Sequence, residues 1–126
     1  MKRLLVDTNV VIWMLAGNRG RVSKVARRAL GDESRSLFVS AVTIWEIATK
    51  RSLNKLRAPD GWAGSLQAIG LEPLPVTALH AEAVEHLPWH HRDPFDRLLI
   101  AQARVEEMAL VSADEQLSAY DVDVIW

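Results

Sequence analysis

Four carboxylates stand where the local pattern gives them little reason to be. Asp7 closes an apolar run, and Glu46 is flanked by Ile44, Trp45, Ile47 and Ala48. Asp96 shares a helical face with Leu99, Ile100 and Ala103, and Asp114 follows another apolar run. Isolated buried acids are disfavoured, and two like charges about 4 Å apart repel by roughly 4 kcal/mol at an effective dielectric of 20. A divalent cation would remove that penalty, so the four together look like an oxygen cage for a hard metal ion. The chain has no cysteine, which leaves oxygen and imidazole as the only strong ligands.

Taken singly, each acid also has a local explanation. Asp7 can make a side-chain turn, Asp114 can cap the helix after it, and Asp96 suits the positive end of its helix. Asp93 precedes Pro94, which pushes it out of helical conformation, and an N-cap role accounts for it. It is therefore accessory. Ser112 either hydrogen-bonds a carboxylate or a metal-bound water, or merely ends its strand. His80, His86, His90 and His91 form no HExxH spacing, and no glycine-rich phosphate loop is present. His90 and His91 precede the Asp93 turn and are either loop surface or in reach of a substrate phosphate. Trp13 and Trp45 fall at helical core spacing, so the five tryptophans do not require base stacking.

Positioning these residues requires one domain. The 126 residues, 49% hydrophobic and 25% charged, fit a single soluble domain spanning 1–126. No apolar run reaches the roughly 20 residues of a membrane span, and Asp7 comes too early for a secretory signal, so the expectation is cytoplasmic. Short apolar runs alternate with stretches of helical period, which predicts a three-layer α/β domain with a central, mainly parallel five-stranded sheet flanked by helices. Strands are expected near 3–6, 37–39, 72–75, 109–112 and 123–125. Helices are expected near 9–16, 23–30, 41–51, 61–69, 77–86, 94–108 and 115–120. Ser40 and Asp93 are natural caps, Gly17 and Gly70 natural stops, and 57–61 a turn. In such a sheet the carboxyl ends of the strands share one edge, where Asp7 and Asp114 can converge.

Charge is unevenly distributed. Residues 1–63 carry 12 Lys and Arg against 5 Asp and Glu, net +7, and residues 64–126 carry 3 against 11, net −8. Either the two signs occupy separate surfaces or the halves interleave and blend them. The segment 10–16 is apolar on every side, so it is fully buried or covered by a partner.

The ordered set Leu4-Leu5-Val6-Asp7-Thr8-Asn9, Thr43-Ile44-Trp45-Glu46-Ile47, the run from Asp93 to Gln102, and Ser112-Ala113-Asp114 resembles the PIN-domain ribonucleases, most closely the VapC-type toxins of bacterial toxin–antitoxin pairs. Leu74-Pro75-Val76, His80-Ala81 and the closing Val124-Ile125-Trp126 fit the same pattern across the whole chain. The resemblance implies that Asp7, Glu46, Asp96 and Asp114 are the acidic metal-binding quartet and that Arg97 and Asp93 belong to a subgroup motif. Ser112 replaces the threonine of many relatives, keeping the hydroxyl. The implied activity is Mg²⁺- or Mn²⁺-dependent hydrolysis of RNA without a covalent enzyme intermediate, leaving 5′-phosphate and 3′-hydroxyl ends. Lys50, Arg51, Lys55 and Arg57 are candidate RNA contacts, and otherwise a solvated helix end. The implied partners are a cognate antitoxin and a second copy of the chain.

Other α/β modules with acidic sites fit less well. A receiver domain needs a second acid beside Asp7, a phosphoacceptor after the third strand and a lysine after the fifth, and a dehalogenase-like phosphatase needs an acid at Asn9. The remaining alternative is a catalytically inactive PIN-like module that binds RNA or protein, against which the intact quartet argues.

Overall fold

The computed structural model describes residues 3–126. Its frame is a five-stranded sheet in the order β3-β2-β1-β4-β5, with every neighbouring pair parallel. The strands are β1 (Leu4–Val6), β2 (Leu37–Ser40), β3 (Leu71–Leu74), β4 (Ala109–Val111) and β5 (Val124–Ile125). Between them run α1 (Thr8–Leu15), α2 (Lys24–Leu30), α3 (Ala41–Ser52), α4 (Trp62–Ala68), α5 (Ala78–Ala83) and α6 (Pro94–Val105).

The two central strands explain why the apolar runs do not alternate. Every side chain of β1 and β4 is completely buried, as expected where helices cover both faces of a parallel sheet. Leu4, Val6, Ala109 and Val111 join residues of α1, α2 and α4 in one cluster, whereas Leu5 and Leu110 join Leu99, Ile100 and Ala103 of α6 in the other. The predicted three layers are thus two cores separated by the sheet. Pro73, which lacks an N–H, is accommodated because β3 is an edge strand. Among the described residues, no helix is long and apolar enough to cross a membrane.

Element ends depart from expectation in explicable ways. Helix α6 stops at Val105, three residues before the expected Met108, because Glu107 adopts a left-handed conformation (φ 55°) and Met108 N–H turns back to the Ala103 carbonyl. This closure usually uses glycine, so the sequence carries no signal for it. The expected helix over 77–86 tightens into a 3₁₀ turn at Val84–His86, the one over 115–120 is a 3₁₀ turn at Glu115–Ala119, and a further turn, Arg19–Arg21, has no counterpart among the expected elements. Gly17 and Gly70 do end their helices with positive φ, and Ser40 caps α3 by accepting Val42 N–H at 3.0 Å.

Candidate metal centre

The chain leaves β1 toward β2 and β3 on one side and returns to β4 on the other, so the crevice beyond β1 and β4 is the sheet's topological switch point. Asp7 follows β1 directly, and its N–H donates to the Val111 carbonyl at 2.9 Å. The Asp7 side chain does not cap α1, although the residue sits at the cap position. It accepts instead from Ser112 Oγ at 2.5 Å, and Ser112 Oγ in turn accepts Asp114 N–H at 3.1 Å. Burial raises the Asp7 pKa. The Ser112 hydroxyl and Thr8 amide oppose this, and Glu46 and Asp114 add repulsion.

Glu46 arrives from α3. A buried contact between the Thr8 and Thr43 hydroxyls at 3.0 Å ties α1 to α3 one turn ahead of it. Glu46 is 8% exposed and pairs with Lys50 Nζ at 3.0 Å. Asp96 lies in the first turn of α6, whose cap Asp93 accepts the amides of Phe95 (2.8 Å) and Asp96 (3.3 Å). Desolvation, followed by the charges of Asp7 and Asp93, pushes the Asp96 pKa up to about 7, Glu46 adds to the rise, and His91 counteracts it. Asp114 caps the turn after β4 with Oδ1 on Gln116 N–H at 2.9 Å and turns Oδ2 toward the crevice.

His91 completes the group. Its Nε2 lies 3.1 Å from Asp96 Oδ2 and is hydrogen-bonded to Asp114 Oδ2 at 3.3 Å, and donor atoms of these three residues all lie within 4.8 Å of one another. The sequence placed His91 on loop surface or near a phosphate. The signal that could have found it is its position two residues before the cap Asp93. The four acids, carried by four separate elements, feel one another electrostatically: Glu46 and Asp114 disfavour the charge on Asp7, and Asp7 and Glu46 that on Asp96.

The PIN domain profile matches residues 4–123. The chain belongs to the PIN domain family. Solved structures agree at the level of fold. VapBC from Salmonella typhimurium bound to DNA superposes with a TM-score of 0.70 at 16% identity, over 98% of this chain and 97% of that one. VapBC2 from Rickettsia felis bound to a DNA fragment from the VapBC2 promoter gives 0.68 at 12% identity, over 97% and 96%. PAE2754 from Pyrobaculum aerophilum gives 0.59 at 17% identity, over 98% and 83%. No curated protein matches the sequence.

The remaining predicted residues of this PIN domain are placed as follows. Asp93 is a cap, and Lys50 is engaged with Glu46. Arg51 bonds the Ala58 carbonyl at 2.8 Å and pairs with Asp60, closing the turn after α3, while Lys55 and Arg57 are exposed beyond it. Arg97 is 3% exposed, donates to the carbonyls of Pro88 (2.9 Å), Val84 (3.2 Å) and Leu87 (3.3 Å), and lies 3.8 Å from the Trp89 ring centroid. It clamps the segment that delivers His91. One expectation fails: Trp45 is not core but 61% exposed against Phe95, because the buried side of α3 falls on Val42, Thr43, Glu46 and Ile47. In the segment 10–16 only Val10 and Val11 are buried, and Trp13 and Met14 line an apolar groove of about 360 Å³ rimmed by Arg19 and Arg27.

Proposed function

We propose that this PIN domain is a metal-dependent endoribonuclease and the toxin of a VapC-type toxin–antitoxin pair. The observation that supports the reading is the mutual repulsion among Asp7, Glu46, Asp96 and Asp114 beside the switch point, with Asp96 and Asp114 within reach of one His91 nitrogen and the Asp96 pKa pushed up to about 7 by burial and by its acidic neighbours. Such a cluster is destabilising unless a cation is meant to enter it. The donor set is carboxylate oxygen without thiolate, which suits Mg²⁺ or Mn²⁺. Asp7, Glu46, Asp96 and Asp114 would hold the ion. When bound, such an ion polarises a phosphodiester and makes water nucleophilic near neutrality.

The protein's own groups prepare that site. Ser112 orients Asp7 and, through its contact with the Asp114 amide, fixes the two acids relative to each other. Asp93 holds the first turn of α6 and hence Asp96. Lys55 and Arg57 supply exposed positive charge for RNA phosphates. The antitoxin reading is supported by the fold shared with the VapBC complexes and by the arginine-rimmed groove beside Trp13. A second copy of the chain is the other proposed partner.

The test is cleavage of RNA by purified protein. Mg²⁺ or Mn²⁺ should support cutting, EDTA should abolish it, and Asp96→Asn should remove it while leaving the circular dichroism spectrum unchanged. Products should carry 5′-phosphate ends. Undiminished cleavage in EDTA, or 2′,3′-cyclic phosphate ends, would overturn the mechanism.

A further inference from the structure

The proximity of His91 to Asp96 and Asp114 suggests at first a fifth metal ligand, but the hydrogen bonding around the ring argues otherwise. His91 Nδ1 accepts the Asp93 backbone N–H at 3.2 Å. An amide N–H can only donate, so Nδ1 carries a lone pair and the proton of the neutral ring resides on Nε2. Nε2 is the atom that faces the two carboxylates, at 3.1 Å from Asp96 Oδ2 and 3.3 Å from Asp114 Oδ2. A nitrogen bearing a proton has no lone pair in the ring plane to offer a metal. Ligation through Nε2 would require moving the proton to Nδ1, against the Asp93 amide.

The ring is also held too firmly to be incidental. The His91 carbonyl is within reach of Arg97 Nη1 at 3.5 Å, and the same guanidinium binds the carbonyls of Val84, Leu87 and Pro88. His91 is thus fixed at its backbone by Arg97 and at its ring by the Asp93 amide. Asp114 is correspondingly fixed at both oxygens, by Gln116 N–H on Oδ1 and by His91 on Oδ2.

We propose that His91 is a positioning residue of the carboxylate cluster: its Nε2–H sets the orientation of Asp114 and Asp96, and the imidazole is not itself a ligand. The inference rests on the nuclease reading, because it presupposes that these carboxylates bind a divalent ion. Outer partners of this kind typically alter metal affinity by roughly 10–100-fold when removed.

Mn²⁺ serves as the probe, with binding followed by the electron paramagnetic resonance of free Mn²⁺ and ligation by electron spin echo envelope modulation. Two variants separate donor from shape: His91→Phe keeps a ring without the N–H, and His91→Gln keeps an N–H without the ring. Wild type should bind Mn²⁺ without the ¹⁴N modulation of a coordinated imidazole. His91→Phe should weaken Mn²⁺ binding at least tenfold, and His91→Gln should recover most of that loss. A clear ¹⁴N coupling in wild type that disappears in His91→Gln would make the ring a ligand and overturn the proposal. Equal affinity of wild type and His91→Phe would overturn it in the other direction. If His91→Phe does not fold, the wild-type spectrum and the His91→Gln affinity still decide, because a tenfold loss in His91→Gln contradicts the donor role. Wild type that binds no Mn²⁺ would remove the nuclease reading and this inference together, whereas binding unaffected by His91 removes this inference alone.

Discussion

Burial and the charges of Asp7, Asp93 and Glu46 all favour the protonated form of Asp96. Its folded-state pKa of about 7 lies above the ordinary 3.8, so the native state binds this proton more tightly than the unfolded chain does. The resulting stabilisation is complete below about pH 4 and is lost as pH rises through about 7. Thermal melts in EDTA should therefore show lower Tm at pH 8 than at pH 5, a loss on the order of 1–2 kcal/mol after allowing for partial exposure, and Asp96→Asn should flatten that slope. Asp93→Asn should retain measurable cleavage, since asparagine caps well and the change removes a charge that opposes ionisation of Asp96. Ser112→Ala should cost about 1–3 kcal/mol by leaving a buried Asp7 oxygen without its donor, whereas Ser112→Thr should restore both stability and cleavage; urea unfolding of the three proteins compares them. Asp7, Glu46, Asp96 and Asp114 were legible in the sequence because charge at an apolar position is conspicuous without a structure. His91 was not, since its role depends on a loop fold that brings Nδ1 onto the Asp93 amide. Lys50 and Arg51 could be named as cations, but their pairing with Glu46 and Asp60 depends on side-chain conformation rather than residue type.

At the scale of elements, period and punctuation carried nearly everything that positions the site. Apolar runs with no alternation gave the buried strands, and Ser40 and Asp93-Pro94 gave the starts of α3 and α6, each of which bears a candidate ligand. What escaped were the 3₁₀ turns and the end of α6, which depends on a left-handed residue other than glycine. Asn54 after α3 is a residue tolerant of that conformation, but Glu107 after α6 is not. Glu107→Gly should accordingly raise stability by about 1 kcal/mol, read as a higher urea midpoint with unchanged slope. A lower midpoint would mean that the Glu107 side chain contributes more than its backbone strain removes.

At the scale of the whole molecule, the basic and acidic halves of the sequence interleave in the sheet rather than forming separate blocks. Strand β3, from the acidic half, pairs with β2 of the basic half at the far edge of the sheet, so the halves interleave there. They meet again at the β1–β4 pair, and the candidate centre takes Asp7 and Glu46 from one half and Asp96 and Asp114 from the other. An acidic cage at this seam should make the metal-free protein less stable than it need be. Asp7→Asn in EDTA is expected to melt at the same temperature as wild type or higher, and added Mg²⁺ should reverse the order, with about 2.7 kcal/mol gained by wild type at a hundredfold excess over Kd. A variant less stable in EDTA, with no Mg²⁺ effect on wild type, would instead give Asp7 a purely structural role. The register of that seam has a further consequence. Leu4 aligns with Ala109, the longest sequence separation of any pairing in the sheet. Such a pairing closes a long loop and is intrinsically slow to form. No partial product of folding or of synthesis that lacks β4 can bring Asp7 and Asp114 together, so under the proposed nuclease function the chain stays inert until the β1–β4 alignment is made. Heat inactivation should accordingly coincide with global unfolding rather than precede it.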